Sequence, residues 1–364
     1  MFPPSPKGRI GPCPSRKEEP AVKISDFRSD TVTRPDEAMR RAMASARVGD
    51  DVLGDDPTVK ELEEVVAGIC GFPAGLFVPS GTMGNQVALH VHCRPGDEVL
   101  ADPASHVFNY EGGGAARFSG VQVRQVPFPP GGVDLDGLEA ALRDPSDEHQ
   151  PRTRLIAEEN TQNLRAGAVI PPEVHDSLAR FCRERGLLLH VDGARIWNAA
   201  VASGVPPSRL LGGAHSAMVC LSKGLGAPVG SVLLGTEEFR EEAVRARKAF
   251  GGGMRQSGIL AAAGLAALEG WEERIASDHA RARALAEGLG GIPGIVVENP
   301  LPRSNMVYLT VEGPPGSAPD LERKLAGMGV LCIALEDRIR LVTHRDVGDE
   351  DVERALRAFR DALP

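Results

Sequence analysis

Between Leu76 and Leu221 the apolar residues gather in short runs, most of them without alternation. The runs are Leu76–Pro79, Glu98–Ala101, Val121–Val126, Leu155–Ala157, Leu187–Val191 and Ala217–Leu221. An apolar run without alternation belongs to a strand covered on both faces. Stretches with helical spacing separate several of them, as at Thr82–Cys93, Leu135–Leu142 and Pro172–Arg185. Strand and helix in alternation predict a mainly parallel sheet with helices on both sides. The next run, Ser231–Gly235, follows too closely for a helical crossover, so it is expected to pair antiparallel. Upstream, helices are predicted over Asp36–Ala46, just after Pro35, and over Thr58–Gly68, with the acidic stretch VGDDVLGDDP between them as a loop.

Helical spacing dominates from Glu237 to Leu289, and the pattern changes after GGIPG. Strands are expected at Ile295–Glu298, Met306–Val311, Val330–Leu335 and Ile339–Thr343, with helices near Leu321–Met328 and over Asp349–Leu363. A chain of 364 residues exceeds the usual single core, so two domains are expected: a large one over 25–275 and a smaller α+β unit over 276–364. Residues 1–24 are Pro-rich and charged with no apolar segment, and read as a disordered extension rather than a signal peptide.

Composition narrows the function classes. The formal net charge of −9 argues against nucleic acid or an anionic membrane as the main partner. No segment offers the apolar length of a membrane span; GILAAAGLAALEGW reads as a closely packed soluble helix. The six cysteines are scattered without a CxxC pair, which fits a reducing cytoplasm and neither a disulfide framework nor a zinc ribbon. The aspartates of VGDDVLGDDP lack EF-hand spacing, and His90 and His92, at i and i+2 on a helix, share no face for a metal.

The chemistry gathers at predicted strand ends. Lys223 lies in VCLSKGLGAPVGS, between two buried runs and among turn-prone residues, where a strongly hydrated cation needs a purpose. In FVPSGTMGNQ a strand passes through Ser80, Gly81 and Thr82 into a helix, which suits either a phosphate or an ordinary helix cap. In LLLHVDGARIWN a buried run closes on Asp192, whose partner could be Arg195, a backbone cap, a metal or a ring nitrogen. His106, after the Glu98–Ala101 run, is placed either to be solvated or to cover a planar group. A lysine, a strand-end carboxylate, a ring and a glycine-lined phosphate site together describe pyridoxal phosphate binding. Lys223 is then a covalent attachment point.

Seven blocks in order, DFRSDTVTRP, VGDDVLGDDPT, LFVPSGTMGNQ, HVDGARIWN, CLSKGLGAPVGS, GGGMRQSG and IRLVTH, give the chain its resemblance to a known family. From about Asp26 to near the C-terminus it resembles the low-specificity L-threonine aldolases, in the β-eliminating lyase group with the aspartate-aminotransferase-like (fold type I) α/β architecture. The resemblance implies that Lys223 carries pyridoxal 5′-phosphate, that Asp192 pairs with its pyridine nitrogen and that His106 stacks on its face. It implies phosphate contacts from Gly81, Thr82 and, across a subunit interface, Arg255. Ser29, Arg195 and Arg340 would hold the carboxylate of an amino-acid substrate. It further implies a homotetramer with shared active sites. Some members hold a structural monovalent or divalent cation near positions matching Thr31, Thr33, Ser222 and Ala227, a set without a carboxylate. The implied reaction is retro-aldol cleavage of L-threonine or L-allo-threonine to glycine and acetaldehyde.

One position departs. Where many relatives carry a histidine facing the substrate hydroxyl, ENTQNLRAG has Gln162, which can hydrogen-bond but cannot act as a base. Either His106 or a bound water is then the base, and the threonine/allo-threonine preference is expected to shift. Bulkier β-hydroxy-α-amino acids such as phenylserine, or another elimination or aminotransfer reaction on the same scaffold, are the competing expectations.

Overall fold

The computed structural model describes residues 23–314 and 316–363. The N-terminal extension read from the sequence, apart from its last two residues, lies outside them. A two-residue strand, β1 (Ser25–Asp26), opens the described chain. The large sheet contains β2 (Ala74–Val78), β3 (Glu98–Ala101), β4 (Gln122–Gln125), β5 (Thr153–Glu159), β6 (Leu188–Gly193), β7 (Ser216–Cys220) and β8 (Ser231–Gly235). Their spatial order is β2-β8-β7-β6-β5-β3-β4. The pairs β3–β4, β3–β5, β5–β6 and β6–β7 are parallel, whereas β8 runs antiparallel to both β2 and β7. Every residue of β2, β3, β7 and β8 is buried, which is why those runs show no alternation. By contrast β4, expected from Val121–Val126 to be covered on both faces, is an edge strand that carries polar Gln122, Arg124 and Gln125, with both its ends exposed.

Helix starts follow the capping residues. Asp36, Asp56, Ser80, Asp134 and Thr236 each accept a backbone N–H from the first turn of the helix that follows. The helical tract after Glu237 resolves into Glu237–Ala249, Gly258–Ala267 and Trp271–Gly290. In Gly258–Ala267, a Cβ on Gly264 would lie 3.0 Å from Leu221 and 3.2 Å from Leu62, so small residues there permit close packing. The acidic loop is held by its own carboxylates: Asp50 pairs with Arg255, Asp51 with Arg247, and Asp56 accepts the Gly49 and Gly258 N–H groups.

The second sheet is antiparallel. β9 (Ile295–Val297), β10 (Met306–Val311), β11 (Val330–Leu331), β12 (Ile333–Leu335) and β13 (Arg338–Val342) complete the strands. The order is β12-β13-β10-β9, while β11 leaves this sheet to pair in parallel with β1. The single strand expected over Val330–Leu335 is therefore divided at Cys332, because its two halves serve different partners. The helix Trp271–Gly290 contributes Trp271 and Ile275 to the core around the large sheet, and Ala282, Leu285 and Leu289 to the core of the C-terminal unit. Phe27, from the start of the described chain, packs into that second core.

Candidate active site

β7 ends at Cys220 and the chain turns back into β8 through Leu221–Gly230, the loop that carries Lys223. Leu221 N–H donates to Gly230 O (3.0 Å), and Gly226 N–H donates to Lys223 O (2.9 Å). Gly226 sits at φ +84°, and a Cβ there would lie 2.5 Å from Arg345, so the turn requires glycine. The Thr33 hydroxyl bridges the carbonyls of Asp30 (2.9 Å) and Lys223 (3.2 Å), which ties the N-terminal segment to this loop. Lys223 is half-buried, and its ammonium makes no hydrogen bond among the described residues.

Asp192 closes β6 beside the end of β5, in register with Glu159. Its Oδ1 accepts the Ala194 N–H (3.1 Å) and its Oδ2 accepts from Asn85 Nδ2 (2.9 Å). The structural Asp192–Arg195 pair considered from the sequence does not form. Asn85 comes from the helix Gly81–His92, and its Oδ1 accepts from His190 Nε2 (3.1 Å). His190 Nδ1 and His92 Nε2 each lie 2.8 Å from Ser216 Oγ. Burial pushes His190 down to about 4 and His92 down to about 3, so both rings are neutral links in this chain. His90 points elsewhere, to Phe118 O, as the i, i+2 spacing implied.

His106 begins a one-turn helix, His106–Asn109, rather than lying in open loop. Two buried acids fix it. Glu159 Oε2 accepts its backbone N–H (2.6 Å) while Oε1 accepts that of Asn163 (2.8 Å). Glu111 Oε1 lies 2.9 Å from His106 Nδ1 and accepts from Asn85 Nδ2 (2.8 Å). Burial opposes charge on His106, but the Glu111 hydrogen bond and the charges of Asp192 and Glu111 outweigh it and raise its affinity for a proton; Lys223 works against them. Burial, then the nearby Asp192 charge, pushes Glu159 up.

Arg195 Nε and Nη2 grip Asp30 at 2.7 and 2.6 Å, both residues being buried. Burial would raise Asp30, yet the Arg195 guanidinium, with help from Lys223 and Asn305, holds it well below the usual carboxylate range. Arg195 is thus committed through two nitrogens to Asp30 rather than left wholly for a ligand. Ser29 Oγ accepts the Thr31 N–H (3.2 Å). Arg340 donates to Arg28 O (3.0 Å) and Asn163 Oδ1 (3.2 Å), which brings it beside Ser29, and its Nε is buried without a hydrogen-bond partner among the described residues. At the N-terminus of Gly81–His92, a Cβ on Gly81 would lie 2.9 Å from Cys220 Sγ and Met218 Cε. The first-turn N–H groups of Gly81 and Thr82 have no intrahelical acceptor.

Lys223, Asp192, His106, Arg195, Ser29 and Arg340 are therefore brought into one connected region. Arg255 is not: its exposed guanidinium lies 2.9 Å from Asp50. Gln162 is buried; its Oε1 accepts the Gly131 N–H (2.8 Å), and its Nε2 makes no hydrogen bond among the described residues. Of the four residues matched to a structural cation, Thr33 touches the Lys223 carbonyl, and Ala227 N–H donates to Leu221 O (3.1 Å). Sequence reasoning missed Asp30, Asn85, Glu111 and Glu159. Their signal was an acid or amide in a segment already singled out for another residue.

The order of the large sheet, its lone antiparallel strand β8 and the lysine on the loop entering that strand define a fold type I enzyme. The threonine aldolase of Leishmania major superposes with a TM-score of 0.80 at 20% identity, covering 93% of this chain and 99% of that one. The beta-eliminating lyase profile matches residues 26–312. The probable low-specificity L-threonine aldolase 2 of Arabidopsis thaliana is 46% identical over 343 residues, 93% of this chain and 97% of that protein. The low specificity L-threonine aldolase of Escherichia coli (strain K12) is 43% identical over 339 residues, 93% and 99% of the two chains. The chain belongs to the β-eliminating lyase family, among its low-specificity L-threonine aldolases.

Proposed function

We propose that this lyase carries pyridoxal 5′-phosphate on Lys223 and cleaves L-threonine and L-allo-threonine to glycine and acetaldehyde. The observation that carries the reading is an anion-ready arginine, Arg340 with its buried, unpartnered Nε, in the same connected region as Lys223, Asp192 and His106. The residues fit the cofactor. Gly81 packs its Cα directly against Met218 and Cys220, where a Cβ would clash, and so holds the helix start close to the end of β7 with first-turn N–H groups that suit a phosphate. Asp192 is a buried carboxylate held by two donors, suited to a protonated ring nitrogen. When bound, the cofactor supplies an electron sink for the breaking Cα–Cβ bond.

The protein's part is orientation and proton management. Arg340, Ser29 and the free Nη1 of Arg195 bind the substrate carboxylate and so fix which bond at Cα stands ready to break. Asp30 keeps Arg195 charged and in place. His106 Nε2 takes the β-hydroxyl proton as acetaldehyde departs, and one proton returns to Cα to give glycine, so the reaction is proton-neutral. Gln162 offers Nε2 as a donor to the hydroxyl, which differs from a histidine that can also accept. The threonine/allo-threonine ratio is expected to reflect that difference.

The working assembly is a homotetramer with active sites at subunit interfaces, where Arg255 reaches a neighbouring phosphate. Exposed Leu53, Phe108, Tyr110, Phe118 and Ile259, together with the largely exposed guanidinium of Arg255, held only by Asp50 among the described residues, support this reading. The oxygens near Thr33 carry no formal charge, so a structural cation at Thr31, Thr33, Ser222 and Ala227 would be monovalent. The location is cytoplasmic, a reading supported by the scattered, unpaired cysteines; those described are all buried and free. No helix among the described residues is long and apolar enough to cross a membrane.

Product analysis tests the reaction. Cofactor-loaded enzyme with L-threonine, L-allo-threonine or phenylserine should yield glycine and the matching aldehyde. Ammonia with a keto acid, or a transferred amine, would assign another reaction to this scaffold.

A further inference from the structure

Glu111 is the most heavily engaged carboxylate near the site, and neither the sequence reading nor the reaction scheme uses it. Its side chain is fully buried. Oε1 meets both His106 Nδ1 (2.9 Å) and Asn85 Nδ2 (2.8 Å), while Oε2 accepts from Gln86 Nε2 (2.5 Å). The local sequence explains how it gets there. Gly112 and Gly113 take positive φ of 62° and 69°, and a Cβ on Gly114 would lie 2.6 Å from Gln86. The glycine run thus folds Glu111 down onto the helix Gly81–His92. Asn85 also donates to Asp192, so a single acid and amide join Asp192 to His106, the two residues that would hold the cofactor ring.

We propose that Glu111 is a positioning residue that sets the tautomer and orientation of His106, leaving Nε2 as its only proton acceptor toward substrate. A carboxylate can only accept here, so His106 Nδ1 must carry the hydrogen, and the lone pair is confined to Nε2. Nε2 makes no hydrogen bond among the described residues and is free to meet a substrate hydroxyl. The arrangement supplies what Gln162 cannot: one imidazole made more basic by a buried anion and fixed in direction by it. The charged and titratable groups facing His106 are Glu111 and Tyr110 from its own segment, Asp192 and Glu159 from the ends of β6 and β5, and Lys223 from the loop after β7. Of these, only Glu111 bonds to the ring.

This inference rests on the aldolase reading, and the test separates the two. Glu111→Gln and Glu111→Asp holoenzymes are compared with wild type for kcat and KM on L-allo-threonine across pH, for the visible band of lysine-bound cofactor, and for the midpoint of His106 C2 hydrogen–deuterium exchange followed by mass spectrometry. Glu111→Gln is expected to keep the band and lose on the order of 10- to 100-fold in kcat with KM little changed. Its acidic limb and the His106 exchange midpoint should both move to lower pH. Glu111→Asp, which keeps the charge, should recover the limb and part of kcat. Unchanged kcat with an unmoved limb in Glu111→Gln would overturn the proposal. So would equal loss of band and activity in both variants, which would make Glu111 a residue of the fold. If wild type released no aldehyde, the aldolase reading would fall, while the exchange midpoint would still decide whether Glu111 governs His106.

Discussion

Two aspartate–arginine pairs tie distant parts of this chain together, and their surroundings differ sharply. Asp30 and Arg195, 165 positions apart, meet through two hydrogen bonds of 2.6 and 2.7 Å with both side chains buried. Asp50 and Arg255, 205 positions apart, meet through one contact of 2.9 Å with the arginine largely in solvent. The first pair is braced by Asn305 and by the Lys223 charge, so the fold fixes it before any ligand arrives. The second is screened by water and can exchange partners at little cost. Burial thus separates a charge used as fixed architecture from one that water leaves free to change partners.

Removing the buried arginine should have the largest effect. Arg195→Ala removes the main partner of buried Asp30, leaving only Asn305 and the Lys223 charge, and should cost about 3–5 kcal/mol in urea unfolding. A loss below about 1 kcal/mol would mean that the pair is hydrated and the contrast mistaken. Arg255→Ala should leave urea unfolding nearly unchanged, yet weaken cofactor binding about tenfold or more through one lost charge-assisted contact, read by titrating the apoenzyme. Unchanged affinity would mean that Arg255 serves only Asp50.

The pH response sharpens the same contrast. Asp30 lies below its unfolded value near 3.8, so its stabilisation is present above that value and is lost only as strong acid reaches the folded value. Asp278 behaves oppositely. Burial pushes it up to about 7 against the pull of Arg281, whose Nη1 lies 3.6 Å from Oδ1, and neither carboxylate oxygen accepts a hydrogen bond among the described residues. The folded state therefore holds that proton more tightly than the unfolded chain, and stability should fall as pH rises from about 4 to about 7. Asp278→Asn should flatten that decline in a urea series across pH; the raised Glu159 leaves a smaller slope of the same sign. The smallest effect is expected from salt, with 1 M sodium chloride weakening cofactor binding in wild type more than in Arg255→Ala.

Much of this was legible in the sequence, for physical reasons. Buried strands announce themselves as unbroken apolar runs, and β3 and β8 fall on the residues that pattern marked. Helix starts were visible where Pro35 preceded one and Ser80 could cap another. Lys223, Asp192 and His106 stood out because each sits where a strand ends. Partnership was not legible. Asp192–Arg195 looked like a pair because the two are close in sequence, yet the helix that starts after Arg195 turns its guanidinium toward Asp30. Glu111 lay hidden in NYEGGG because nothing local tells a surface glutamate from one folded onto Asn85 and His106. The division at Cys332 was equally silent, since one apolar run can serve two sheets.

The most direct test of the account is an absorbance spectrum of the purified, cofactor-supplied protein before and after L-allo-threonine, with aldehyde release followed in the same cuvette. The account predicts a visible band that is present in wild type, absent in Lys223→Ala and perturbed by substrate as acetaldehyde appears. A protein that shows no such band after reconstitution, or keeps it in Lys223→Ala, would contradict it.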